Sequence, residues 1–456
     1  MVRTHSIVFV FLFQIYFGCV YSKTCVKNKR VCVIGAGIAG LASARYLKEE
    51  EGISFTVLEA TRYVGGTWRY DPRVGTDENG LPLHTSMYKH LRTNLPKATM
   101  ELRGFPLPEY LPSYPSWEDY YHYLQAYAEH FDVLKYIQFL HNVVHVTRVG
   151  DVWKVKHVHV LTNETFEEDY DFVILGNGHF SKPCMPQIPG EDLFKGTIIH
   201  SHDYREPEPF RNRRVLVVGA GPSGMDIGLD VAEVSSALIH SHHSKINFTT
   251  PFPPHYIKKP DIKEFNETGV IFKDDTYEDI DDVIYCTGFL YDYPFLDETS
   301  GLTLNPKSVV PLYRYMVNVN EPTMFAMGLM IRACLAVALD AQARYATAII
   351  KGNFTLPPRD QMMKEWQKRA DPIRSKGLPM SYIHILGEKE DQYYADLSEE
   401  SGIDRVPPVM FKIRTLDTEA KLENLYTYRN YEYHVIDNYT FTRKVEDPAV
   451  RRRLNS

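Results

Sequence analysis

Two glycine-rich hexapeptides carry the most legible chemistry of the chain: Gly35-Ala36-Gly37-Ile38-Ala39-Gly40 and Gly219-Ala220-Gly221-Pro222-Ser223-Gly224, 184 positions apart (219 − 35). In a G-x-G-x-x-G turn the first glycine permits a tight strand-to-helix reversal. The second lets backbone approach a pyrophosphate, and the third lets the helix pack closely on its sheet. The helix N-terminus then offers unpaired N–H groups to the phosphates. One copy is a weak signal, because glycine-rich turns are common. Two copies with the same flanks predict two bound dinucleotides, and so electron transfer between them.

The strand after each copy assigns its ligand. After the first, Ser54-Phe55-Thr56-Val57-Leu58 reads as a strand ending at Glu59, 19 positions beyond Gly40. That is close to the roughly 20 expected of an acid bonding a ribose 2′-OH, and it points to FAD. After the second, Ala237-Leu238-Ile239-His240 runs into Ser241-His242-His243-Ser244-Lys245, with no acid at the strand end. Ser241, His242 and their neighbours offer donors suited to a 2′-phosphate, hence NADPH; the alternative is a merely polar strand end. Both Ser223 and Gly224 belong to the second cradle.

Regular elements must hold these turns in place. The β-branched runs Val31-Cys32-Val33-Ile34 and Val215-Leu216-Val217-Val218 precede the two turns, and a helix should come after each. Ser116-Trp117-Glu118-Asp119 predicts a capped helix burying Tyr120, Tyr123, Leu124 and Tyr127. Val143–Val149 and Val152–Val160 predict a hairpin turning at Gly150-Asp151. Pro106 to Pro115 reads as an irregular surface connection, and Tyr170 to Gly176 as a buried strand closing the first nucleotide domain. The expected fold is α/β, with two Rossmann-like dinucleotide-binding domains, the NADPH domain inserted in the FAD domain. The expected boundaries are a signal peptide at 1–22, an FAD-binding domain at 23–190, a linker and NADPH-binding domain at 191–288, and the returning FAD domain with the C-terminal region at 289–456.

Composition excludes several classes. The 456 residues are 44% apolar and 24% charged, with net charge −7, ordinary for a globular protein and unsuited to nucleic acid. Arg3 and His5 precede an apolar stretch from Ile7 to Val20, with a cleavage site near Ser22. That order is a secretory signal, with an uncleaved anchor as the rival; the mature chain should then carry no stable membrane anchor. Five sequons, at Asn163, Asn247, Asn266, Asn353 and Asn438, agree with export, and Asn163 and Asn438 stand in the most polar surroundings. Beyond Cys19 of the leader, Cys25, Cys32, Cys184, Cys286 and Cys334 form no C-x-x-C pair and no zinc-spaced cluster with histidine, so no metal is expected.

Between the two nucleotide turns, Phe194, Gly196, His200 and Tyr204 fit F-x-G-x-x-x-H-x-x-x-[YF], the signature of flavin-containing monooxygenases. The chain is similar to that family also at Gly65-Gly66-Thr67-Trp68, Asn94-Leu95-Pro96-Lys97 and Cys286-Thr287-Gly288-Phe289, over about Arg30 to Pro357. Within it, the leader, compact length and polar C-terminus most resemble the secreted enzymes that N-oxidise pyrrolizidine alkaloids such as senecionine. Cys286 stands where the family usually has Ala, and His242 lies near a position often held by arginine.

The resemblance implies that NADPH reduces FAD, that reduced flavin adds O2 at C4a, and that a tertiary amine or sulfide attacks the distal oxygen of the hydroperoxide. It implies Asn94 as the catalytic amide beside the flavin (the alternative being a turn residue), with Gly65, Gly66 and Trp68 along the flavin and Thr287 and Gly288 bringing backbone close to the cofactors. His200 and Tyr204 are expected to have a structural or NADP-orienting role. Gln342 resembles a helix position near the flavin, and Asp226 is read as favouring its helix start. Partners are a small-molecule amine and O2, with a homo-oligomer as an expectation. Three other readings stay open: a broad amine or sulfide oxygenase; a Baeyer–Villiger-type monooxygenase, disfavoured because that class typically ends the linker signature in Trp rather than Tyr204; and a secreted FAD-binding protein, disfavoured by the intact second turn.

Overall fold

The computed structural model describes residues 28–245 and 248–445; the leader, Cys19, Cys25 and the sequon at Asn247 lie outside them. Two parallel sheets organise the chain. The first has the spatial order Leu312–Tyr313, Val317–Asn318, Met324–Ala326, Phe172–Leu175, Lys29–Ile34, Ile53–Glu59, Ile137–Phe139, parallel from Met324–Ala326 onward. The second runs Tyr256–Lys259, Ala237–Ser241, Arg214–Val218, Asp282–Tyr285, Thr197–His200, parallel throughout. All strands of the second fall between two strands of the first, Phe172–Leu175 and Leu312–Tyr313. One dinucleotide unit is thus inserted in the other.

Burial explains the composition of the central strands. Val31, Cys32 and Val33 have no exposed surface, nor do Val215, Leu216 and Val217, because helices or loops cover both faces of a parallel sheet. The helices Ile38–Lys48 and Pro222–Ala232 open on the two glycine turns. Leu335–Lys351, after the chain returns, packs on the first of them and buries nearly every side chain. The chain crosses between the units twice, and the crossings pair as a two-stranded ribbon, Lys182–Pro183 with Phe289–Leu290.

Local expectations mostly hold. Ser116 caps Trp117–His130 through a reciprocal bond with Asp119, and Tyr120, Tyr123, Leu124 and Tyr127 are buried. The hairpin forms as His141–Val149 with Val152–His159, and Thr165–Tyr170 adds a third strand. Two expectations need correction. The segment from Pro106 to Pro115 is irregular but not wholly superficial: Tyr110 is exposed, whereas Leu107 is buried in the first unit's core and Tyr114 is buried under the C-terminal helix Val409–Glu423. The signature from Phe194 to Tyr204 is no free linker, since Thr197–His200 is the edge strand of the second sheet. Among the described residues no helix is long and apolar enough to cross a membrane, no group of three metal-ligating side chains occurs, and Cys32, Cys184, Cys286 and Cys334 are free thiols.

Candidate active site

Parallel sheets bind nucleotides outside the carboxyl ends of their strands, and both glycine turns sit there, with closely matching geometry. Gly35 and Gly219 have φ of +94° and +110°, conformations that exclude a side chain. A Cβ on Gly40 would stand 1.8 Å from the Gly35 carbonyl oxygen, and one on Gly224 would stand 1.9 Å from that of Gly219. The third glycine therefore exists because the helix folds back onto the first glycine's own carbonyl. Gly37 and Gly221 cap the helices with no side-chain hydrogen bond, which leaves the N-terminal amides for an anion.

In the first cradle, Glu59 closes the strand end. Its Oε2 accepts the N–H of Ala36 at 2.8 Å, and Oε1 accepts the N–H and hydroxyl of Thr61, both at 2.8 Å. The Gly65-Gly66 turn docks on the fingerprint: Gly65 donates to the Ala36 carbonyl at 2.9 Å, and a Cβ on Gly66 would stand 3.0 Å from the Gly37 Cα. Trp68 comes next, half-buried, its ring 4.4 Å from that of Tyr120. Bare helix N-terminus, close backbone and acid at the strand end together fit FAD.

In the second cradle, Gly221 faces open space, with no atom within 4 Å of an added Cβ, as a backbone approached by a pyrophosphate requires. Ser223 lies in the first helical turn. At the strand end, Ser241 departs from expectation: it is fully buried, and its hydroxyl donates to the Pro260 carbonyl at 2.7 Å, so it presents no donor outward. His242 is half-buried beside Lys258; burial first, then the charges of Lys258 and His243, hold its pKa below the ordinary imidazole value. Exposed His243 pairs with Asp261 at 3.0 Å, and Lys245 is exposed. A strand end that carries no acid of its own, with Lys258 beside it and the nearby Asp261 paired with His243 and Lys273, fits NADPH.

His240, one residue before Ser241, is not singled out by the sequence. Its Nε2 bonds the Gly219 carbonyl at 2.8 Å and its Nδ1 the Tyr256 hydroxyl at 2.5 Å. A carbonyl only accepts, so Nε2 carries the proton, and burial lowers the ring's pKa to about 4. A polar residue inside an otherwise apolar strand is the available signal.

The two units carry matching segments at the ends of Phe172–Leu175 and Asp282–Tyr285, each a parallel neighbour of its fingerprint strand. Gly176 donates to Ile34 at 2.9 Å and Cys286 to Val218 at 2.8 Å, each placing a strand end against its fingerprint. Thr287 ties this crossing down, its hydroxyl donating to the Cys184 carbonyl at 2.6 Å, and exposed Gly288 leaves open space around it. The family signature is largely structural: the Phe194 ring lies over Gly196, where a Cβ would stand 2.5 Å from it, and Tyr204 is buried, donating to Asp230 at 2.6 Å. His200 accepts the His202 N–H at 3.1 Å through Nδ1, and burial lowers its pKa to about 4. A neutral ring suits orientation, not proton donation.

Asn94 is exposed, just before the turn Lys97–Thr99, and its carbonyl accepts from Lys421. Gln342 is wholly buried, its amide committed to the Gly328 N–H at 2.9 Å and the Tyr393 hydroxyl at 3.1 Å, so it holds the fold. Asp226 does not serve its helix start: it stands in the second turn, paired with Arg429 and accepting from Tyr88.

The sequence pattern of the Flavin-binding monooxygenase-like family matches residues 28–246 and 255–428. The chain is 41% identical to senecionine N-oxygenase of Tyria jacobaeae over 420 residues, 91% of this chain and 92% of that protein. It is 33% identical to flavin-containing monooxygenase FMO GS-OX4 of Arabidopsis thaliana over 408 residues, 84% and 86% of the two chains. The structure of S-allyl-L-cysteine S-oxygenase from Allium sativum superposes with a TM-score of 0.81 at 27% identity, covering 94% of this chain and 98% of that one. With two dinucleotide cradles of the geometry described, the chain belongs to the flavin-binding monooxygenase-like family and is an NADPH-dependent flavin monooxygenase.

Proposed function

We propose that the enzyme N-oxygenates tertiary-amine alkaloids of the pyrrolizidine class, senecionine being the reference substrate. The observation that carries this reading is the 41% identity to senecionine N-oxygenase over 91% of the chain. The reaction balances as amine + NADPH + H⁺ + O2 → amine N-oxide + NADP⁺ + H2O. Bound FAD supplies hydride acceptance from NADPH and activation of O2. The protein's own part is positioning and exclusion of water. Gly37 and Gly221 present the helix termini to the phosphates, Glu59 orients the first nucleotide, and the cations around His242 receive the 2′-phosphate. Asn94 offers an uncommitted amide to the flavin face; it donates a hydrogen bond without giving up a proton, so it steadies a negative oxygen and leaves it reactive.

Secretion and glycosylation belong to the same proposal. Asn163 and Asn438 are both exposed, whereas Asn266 uses its side-chain oxygen to accept from Thr268 and Gly269 within its own turn. The segment from Ile7 to Val20 is the leader in this reading.

The test is turnover of the flavin-loaded enzyme with NADPH and senecionine, following N-oxide by mass spectrometry. One N-oxide per NADPH is expected. Sulfide oxygenation without N-oxide, or conversion of a ketone to an ester, would replace the substrate class. In Asn94→Ala, FAD content should be unchanged, with N-oxide per NADPH reduced at least about tenfold, a loss of about 1.4 kcal/mol of differential stabilisation, and peroxide in its place.

A further inference from the structure

The described residues from Val409 onward add no strand to either dinucleotide sheet, yet they touch both units. The helix Val409–Glu423 and the turn Tyr428–Asn430 share a small core that includes Tyr114, Ile413 and Tyr428. Toward the first unit, Asp417 accepts from the Tyr114 hydroxyl at 2.6 Å and pairs with Lys421 at 2.6 Å, and Lys421 also donates to the Asn94 carbonyl. Toward the second, the Thr249 hydroxyl donates to the Glu423 carbonyl at 2.8 Å, and the Leu425 N–H donates to Thr250 Oγ1 at 3.0 Å.

Arg429 joins these two sets of contacts. Its Nη1 pairs at 2.7 Å with Asp226 of the helix that opens on the second glycine turn. The other oxygen of Asp226 accepts from Tyr88, a residue of the first unit's chain buried in the second unit's core. On its remaining edges Arg429 donates to the carbonyl of Thr93 at 3.1 Å through Nε and to that of Arg92 at 3.3 Å through Nη2. One planar fork therefore holds a carboxylate of the NADPH-binding unit and the two carbonyls that lead into Asn94. Arginine is suited to this; lysine supplies the charge but not the fork.

We propose that Arg429 is a positioning residue for oxygenation: it fixes the NADPH-binding unit against the flavin-binding unit and sets the placement of Asn94. The inference rests on the proposed role of Asn94 as the amide beside the flavin. Misplacement of reacting groups by about 1 Å can lower a rate about a hundredfold, so a clamp at this junction governs whether reducing equivalents reach product or are lost as peroxide.

The test compares Arg429→Met, Arg429→Lys and Asp226→Asn in the full, flavin-loaded chain. Three quantities are read: FAD content, the NADP⁺ dissociation constant by titration calorimetry, and N-oxide formed per NADPH. In Arg429→Met, FAD content should be unchanged, the NADP⁺ constant raised about tenfold, and N-oxide per NADPH lowered at least threefold. Arg429→Lys should recover part of the NADP⁺ affinity but not the coupling, because the carbonyls of Arg92 and Thr93 stay unheld. Wild-type values in Arg429→Met, or full recovery of both in Arg429→Lys, overturn the proposal. Should Arg429→Met fail to fold, the near-isosteric Asp226→Asn decides: loss of NADP⁺ affinity and coupling supports the clamp, and wild-type values refute it. If the wild-type enzyme makes no N-oxide, the substrate reading fails; the NADP⁺ constant and the peroxide yield without substrate still report on Arg429.

Discussion

The carboxylate of Glu59 accepts the backbone N–H of Ala36 at 2.8 Å, so the acid at the end of the second strand grips the glycine turn at the end of the first. It therefore acts on the cradle itself, apart from the ribose contact proposed for it. Each hydrogen bond to a charged group contributes roughly 1.5–3 kcal/mol. Glu59→Ala should lose FAD on dialysis, its FAD dissociation constant rising at least about tenfold, and the flavin-free protein should melt several degrees lower. Glu59→Gln, which keeps an acceptor for Ala36, should fall between. Stoichiometric FAD surviving dialysis in Glu59→Ala would show that the carboxylate serves only the turn.

The second cradle permits a sharper separation of fold from function. Gly224 has no room for a Cβ, which would stand 1.9 Å from the Gly219 carbonyl oxygen, whereas an added Cβ at Gly221 meets nothing within 4 Å. Gly221 is also extended, with φ of −76°, so alanine fits the backbone. Gly221→Ala should fold with an unchanged melting temperature and bind NADP⁺ at least tenfold more weakly, because the methyl takes the place of the pyrophosphate. Gly224→Ala should be destabilised by more than about 3 kcal/mol and yield little folded protein. Thermal melts beside NADP⁺ titrations check both; equal NADP⁺ affinity in Gly221→Ala would mean that the phosphates pass elsewhere.

The features legible in the sequence are those that repeat locally. Each glycine turn lies within about 30 residues of its own flanking strands, and in the first unit of the acid at Glu59; that is the span of a βαβ unit, and the spacing encodes the geometry. The insertion of one unit in the other is legible because each turn needs its own parallel sheet. The second strand end departs from expectation at Ser241 because pleat direction decides whether a hydroxyl faces a ligand or the neighbouring loop at Pro260, and a single strand's pattern does not fix that. Arg429 leaves no trace: its partner Asp226 is 203 residues away, and a lone arginine in a polar, tyrosine-rich tail looks like any solvated charge.

Buried neutral imidazoles set the response to acid. Burial holds His179 and His240 at about 4 and His384 at about 3, against an unfolded value of about 6.5. Each folded-state pKa is depressed, so the stability is fully present above about 6.5 and is lost as pH falls toward 4. The unfolded chain takes up the proton first. Within that window each ring contributes a slope approaching about 1.4 kcal/mol per pH unit. Denaturant unfolding at pH 7, 6 and 5 should show a steep loss of stability, and His240→Gln should reduce the slope by roughly one ring's share. An unaltered slope in His240→Gln would mean that His240 is not held neutral by the fold.

The same logic with the opposite sign applies to coenzyme choice at His242. In the free enzyme burial and the charges of Lys258 and His243 hold its pKa below the ordinary value, so near neutral pH the ring is uncharged. A 2′-phosphate beside it favours the charged form and raises that pKa. Binding then takes up a proton, and by linkage affinity strengthens as pH falls through the window between the bound-state and free-state values. NADP⁺ titrations between pH 8 and 6.5, kept above the phosphate's own second ionisation near 6, should tighten at least about threefold on going down. NAD⁺, lacking the phosphate, should show a flat profile, and so should NADP⁺ binding to His242→Asn. A wild-type slope in His242→Asn would mean that the proton taken up on binding goes to a group other than His242.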